Sequence, residues 1–167
     1  MTFMGERIRV TRIRNPFAGS EGYNCFGCSP DNPIGFNLVF TDEDDEIATT
    51  WNPAPDYVGF SGVLHGGIQA ALHDEIAGWF VFAKLGTAGF TSELSVRFLA
   101  PVLISKGPVS LRARLESRQD RIATLTTNLF DGEGTLCSEA HVAYYIVPEH
   151  IARRRFHYPG LQAFTDA

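Results

Sequence analysis

The hydrophobic period of this chain changes once, and that change restricts the folds open to it. From Gly66 to about residue 84, apolar side chains recur every three to four positions, the spacing of one helix face. Past residue 89 the repeat becomes two. In "TSELSVRFLAPV", Leu94, Val96 and Phe98 alternate with Glu93, Ser95 and Arg97. Val109, Leu111, Ala113 and Leu115 alternate with Ser110, Arg112 and Arg114. "RIATLTTNLF" and "GTLCSEAHVAYYIV" continue the strand signal, and "SRQDR" and "DGEG" stand where hairpin loops belong. A meander of four antiparallel strands is therefore expected after one helix. Upstream, "FNLVF" and "EIATTW" read as two further strands joined by the acidic turn "TDEDD". About six strands and a single long helix predict an α+β domain, with the helix covering one face of the sheet.

The two ends read differently. Residues 1–23 are polar, arginine-rich and aperiodic, and are expected to form an N-terminal extension. "PEHIARRRFHYPGLQAFTDA" (148–167) is expected to form a C-terminal tail. A net charge of −5 argues against a nucleic-acid partner, which calls for a basic face. No apolar run approaches the ~18 residues of a membrane span. The opening "MTFMGERIRVTRIRNPF" lacks the apolar centre of a signal peptide. Three cysteines, an odd number, fit a reducing compartment, so the expected location is the cytoplasm.

The chemistry concentrates in "GVLHGGIQAALHDEIAGW". Gly66 and Gly67 open the helix, where backbone N–H groups are free and a missing Cβ lets a ligand atom approach. That arrangement suits an oxyanion on a thioester or carboxyl group. Asp74 lies beside a stripe of mostly very small residues (Gly67, Ala70, Ala77, Gly78 and Val81) that leaves room for another backbone. Eight residues separate it from Gly66, ~12 Å along the axis, whereas reacting groups must come within ~3–3.5 Å. One helix cannot bring both to a single carbonyl; two antiparallel copies can. Two plainer readings stand beside it: glycine as punctuation of the helix start, and Asp74 as a solvated carboxylate. His73 is expected on a polar face or an interface, and Glu75 at a packing edge. Trp51, Tyr57, Phe60 and Trp79 are candidates for a pocket lining or for the core. Cys25, Cys28, Cys137 and His141 contain the donors of a zinc site. Cys137 and His141 on one strand would sit ~13 Å apart, however, so no metal is expected.

"HGG" opening a helix, an acid nine residues after that histidine, then "ELSVRFLAPV" and alternating strands, resemble the hotdog-fold acyl-CoA thioesterases of the PaaI type, in the 4-hydroxybenzoyl-CoA thioesterase superfamily. The upstream "CFGCSPDNPIGFNL" is similar to the turn-and-strand opening of one branch of that group, and the likeness spans roughly residues 24–147. The resemblance implies a sheet wrapped round a central helix and assembly as a homodimer or dimer of dimers. It implies hydrolysis of an acyl-CoA, with coenzyme A part of the substrate and no separate cofactor. Carried over by residue, Gly66 supplies the N–H that polarises the thioester carbonyl and His65 positions the loop or the thioester. Asp74 acts from the partner chain as base or nucleophile, and Gly67, Gln69 and Thr91 make substrate or supporting contacts. "RRR" (153–155) is either a solvated tail or a contact for the phosphates of coenzyme A. Some relatives carry a hydroxyl residue one turn after the acid; here that position is Gly78. Two alternatives accompany this expectation. A hotdog dehydratase or hydratase would pair His65 or His73 with an acid, and an acyl-CoA-binding hotdog would bind without turnover.

Overall fold

The computed structural model describes residues 9–165. Residues 1–8 of the expected extension and the last two of the expected tail lie outside the described residues. Seven strands form one antiparallel sheet: β1 (Val10–Arg12), β2 (Phe40–Glu43), β3 (Glu46–Trp51), β4 (Gly89–Phe98), β5 (Val109–Gln119), β6 (Ile122–Phe130) and β7 (Leu136–Ile146). Helix α1 (Gly66–Ala83) falls between β3 and β4 and packs against every strand from β3 to β7. A sheet that curls round a helix leaves the helix little polar surface, and Leu72, Ile76, Ala77, Trp79 and Val81 are all buried. The α+β architecture is the one expected.

Two departures concern strands. The spatial order is β1-β2-β3-β5-β6-β7-β4, so β4 pairs with β7, not with β5 as a simple meander would have it. The ten residues 99–108, which include Pro101 and Pro108, are too many for a tight hairpin. They instead run past the start of α1, where the Leu64 amide bonds the Val102 carbonyl at 2.9 Å. Among the described residues this leaves β4 as a ten-residue edge with a neighbour on one side only. The strand expected over "FNLVF" begins at Phe40, because Asn37 takes φ 52° and turns the chain. Before that point, Phe36 and Leu38 bond through their amides to the carbonyls of Phe26 and Gly27, both at 2.9 Å.

The ends also pack on the domain. β1 adds the seventh strand. A second helix, α2 (Glu149–Phe156), and the turn that follows bring Tyr158 and Phe164 into the core. There Phe164 meets Phe17 at a ring distance of 5.9 Å and Phe82 at 6.0 Å, closing both termini over the last turns of α1. Isolated aromatics in aperiodic segments give no period to read, which is why these contacts escaped the sequence.

Candidate active site

The start of α1 is held by a closed set of polar contacts. His65 is the N-cap, with extended backbone at φ −60° and ψ 135°. Its Nδ1 accepts the Gly67 amide at 2.9 Å, and its carbonyl accepts the amides of Ile68 and Gln69. Buried Gln69 donates through Nε2 to the Leu64 carbonyl at 3.3 Å and accepts from Ser138 Oγ at 2.9 Å. Ser138 has one proton to give, so His73 Nε2, 2.9 Å away, carries the proton between them. Thr127 then donates to His73 Nδ1 at 2.7 Å. His73 is fully enclosed, and burial pushes its pKa down to about 4, so it is neutral. This corrects its expected place on a polar face or interface: the curled sheet closes the side of α1 that helical periodicity alone leaves open.

Among the described residues, the Gly66 amide has no hydrogen-bond partner. It opens into a groove of about 660 Å³ bounded by Gly59, Phe60, His65, Gln69 and Phe98. A Cβ on Gly66 would sit 3.4 Å from the Phe98 ring, so a larger side chain there would crowd the groove. His65, Gly66, Gly67 and Gln69 thus lie together, but the Gly67 amide is taken up by His65 and both ends of the Gln69 amide are engaged within the chain.

Asp74 lies elsewhere, half-buried, two turns down the helix. Thr91 Oγ1, on the edge strand, donates to Asp74 Oδ1 at 2.5 Å. In the β4–β7 register Thr91 faces Tyr144, whose hydroxyl donates to the Asp74 carbonyl at 3.3 Å. That hydroxyl also lies 2.8 Å from where a Cβ on Gly78 would be. A hydroxyl thus stands beside position 78, and it comes from β7 instead of the helix. Tyr144 was missed because its reach depends on the β4–β7 pairing, which the crossover hides. Among the described residues, no carboxylate hydrogen-bonds the ring of His65 or of His73.

Glu75 departs from its expected packing-edge role. It borders a second cavity of about 370 Å³ with Cys25, Cys28, Trp79, Phe82 and Tyr144. Cys25 Sγ and Cys28 Sγ are 2.8 Å apart, and Cys25 Sγ is 3.4 Å from Glu75 Oε1. Burial, with the neighbouring Cys25, pushes the Glu75 carboxyl up to about 7. The Cys28 thiol and the Cys28 and Gly27 amides pull the Cys25 thiol below its ordinary value, while Cys28 moves upward. Cys137 points instead at the carbonyls of Pro101 and Thr135, and His141 pairs with Glu116 at 2.9 Å. The Cys25/Cys28/Cys137/His141 set is therefore not assembled. Nor do the four aromatics share one pocket. Trp51 and Tyr57 pack on Phe36, Trp79 stacks on Phe40, and Phe60 is 84% exposed at the groove rim. In the "RRR" run, Arg153 is paired with Glu149, and Arg154 and Arg155 are exposed.

Residues 61–138 match the model of the Thioesterase superfamily. An inferred esterase of Saccharolobus solfataricus is 32% identical over 81 residues, 47% of this chain and 52% of that protein. The chain thus spans about half the length of the curated relative it matches. A solved thioesterase superfamily protein superposes with a TM-score of 0.66 at 25% identity, covering 72% of this chain and 59% of that one. A Streptococcus mutans protein bound to acetyl-CoA superposes at 0.61 with 16% identity, covering 68% of this chain and 90% of its own. At that identity the second likeness concerns the fold. No helix among the described residues is long and apolar enough to cross a membrane.

Proposed function

From the match of residues 61–138 to the Thioesterase superfamily model and the hotdog-like fold, we propose that this chain is an acyl-CoA thioesterase working as a homodimer or dimer of dimers. The substrate thioester lies in the groove at the start of α1, and its carbonyl oxygen accepts the Gly66 amide. The partner's helix, running antiparallel, presents its own Asp74 carboxylate to the same carbonyl carbon. That carboxylate takes a proton from water as the hydroxide oxygen bonds to the carbon, the C–S bond breaks, and the thiolate leaves and is protonated. Thr91 orients the carboxylate from one side, and Tyr144 holds the backbone beneath it.

One observation carries this reading: of the two glycine amides at the helix start, Gly67 is capped by His65 and Gly66 is left unpaired in a groove. A donor fixed there costs no reorganisation when charge develops on the oxygen. Three further features support it. The outer side of β4 is unpaired, and Phe90 and Phe98 on it are 52% and 55% exposed, an edge suited to burial by a second copy. The S. mutans relative holds acetyl-CoA, which supports a coenzyme A thioester as ligand. Three unpaired cysteines support a reducing location, the cytoplasm.

Gly66→Pro tests the reading. Proline is favoured at the first helical position, and the extended His65 backbone suits a residue before proline. The substitution therefore removes the N–H with little cost to the fold. Thiol release from a panel of acyl-CoAs is expected to fall by about 100-fold or more. Wild-type-like release would overturn the assignment of Gly66.

A further inference from the structure

We propose that Cys25, Cys28 and Glu75 form a zinc-binding site with one coordination position open to the second cavity. The three side chains come from two elements, the "CFGC" turn and the middle of α1. Their donor atoms lie within 4.8 Å of one another. Two thiolates and a carboxylate are a donor set that zinc takes, and three protein ligands with a fourth position free is a geometry it adopts. A tetrahedral ion with bonds of about 2.3 Å holds two sulfurs about 3.8 Å apart. The present Sγ–Sγ separation of 2.8 Å therefore has to open by about 1 Å, within reach of side-chain rotation. Binding releases the thiol protons to solvent and involves no change of oxidation state.

Hydrogen-bond donors surround the three ligand atoms. The Gly27 and Cys28 amides both point at the Cys25 sulfur, the latter at 3.3 Å. Tyr23 Oη lies 2.9 Å from Cys28 Sγ, and Trp79 Nε1 donates to Glu75 Oε1 at 3.2 Å. Each ligand thus has its own donor, the outer shell that orients ligands and raises metal affinity. Among the described residues no cation pairs with Glu75. A carboxylate beside two thiols in a half-buried place lacks a counter-charge that a divalent ion would supply. The turn is also fitted to the carboxylate. A Cβ on Gly27 would collide with the Glu75 carboxylate group, so glycine there lets Glu75 reach the cysteines. Asn15 anchors the turn through the Cys28 carbonyl at 3.0 Å. A disulfide would need none of these carboxylate contacts.

The test uses the full chain, stripped of metal under reducing conditions and titrated with Zn²⁺ and, as a spectroscopic probe, Co²⁺. One equivalent should bind, with a thiolate-to-cobalt charge-transfer band. Cys25→Ser should abolish that band. Glu75→Gln and Trp79→Phe should each weaken binding by about 10-fold or more while circular dichroism shows the fold retained. Cys137→Ser should bind as wild type does. Absence of stoichiometric uptake by the wild type, uptake undiminished in both Cys25→Ser and Glu75→Gln, or recovery of a Cys25–Cys28 disulfide in place of the metal complex would each overturn the site. No readout depends on thioester hydrolysis, so the proposal stands or falls apart from the catalytic reading.

Discussion

His73 and Asp74 are neighbours in sequence and opposites in setting. His73 is enclosed by β6 and β7, has both ring nitrogens engaged, and forms a chain of hydrogen bonds that ends at the loop before α1. Asp74 faces the edge strand β4 and, among the described residues, has a single side-chain partner on its carboxylate, Thr91. A polar group whose every site is satisfied inside the fold serves the fold. One anchored on one oxygen and open on the other is positioned for something beyond the chain. The two residues should therefore fail in different assays.

The largest expected effect tests the enclosed side. His73→Ala leaves the hydroxyls of Thr127 and Ser138 without partners and opens a cavity in the core. Stability by urea unfolding at pH 7 should drop by about 4 kcal/mol. A loss below about 1 kcal/mol would mean the network holds nothing.

The cost of that substitution should also depend on pH. The folded chain lowers the His73 pKa from 6.5 to about 4, so between those values the unfolded chain binds a proton that the folded chain refuses. The histidine's contribution is present in full above pH 6.5 and is lost as pH falls toward 4. The His73→Ala penalty should shrink by about 3 kcal/mol over that range. Glu75 titrates in the opposite sense, its folded pKa being raised, but it does so in both proteins and cancels in the difference. A penalty that stays level with pH would contradict a neutral, buried His73.

The next effect sharpens the exposed side. Asp74→Asn should lower turnover at least ~100-fold while unfolding stability stays within about 1 kcal/mol of wild type. Equal losses of activity and stability would erase the contrast between the two residues.

The same pair shows what a sequence makes legible. The helix start at Gly66 and the alternation of β5 to β7 rest on local spacing and appear where spacing placed them, whereas Ala77 and Gly78 of the small-residue stripe pack within the chain, Ala77 in the core and Gly78 against Tyr144. The fate of His73 rests on how far the sheet curls round α1, a property of the whole fold. Tyr144 beside Gly78, Glu75 beside the "CFGC" turn, and Phe17 against Phe164 each join segments far apart in sequence. No short-range period announces such meetings. The crossover that sets β4 at the edge is equally silent, since the residues of β4 alternate in the same way whichever neighbour they pair with.

The proposed hydrolysis requires Asp74 of one chain to serve Gly66 of another, and mixing two disabled proteins measures that directly. Asp74→Asn and Gly66→Pro, each nearly inactive alone, would be co-refolded or co-expressed in equal amounts. Half of the resulting dimers pair one variant with the other, and each such dimer holds one site with both groups intact. Turnover should return to roughly a quarter of wild type. A mixture no more active than its components would show that the two groups do not meet across an interface, and the shared hydrolytic centre would be refuted.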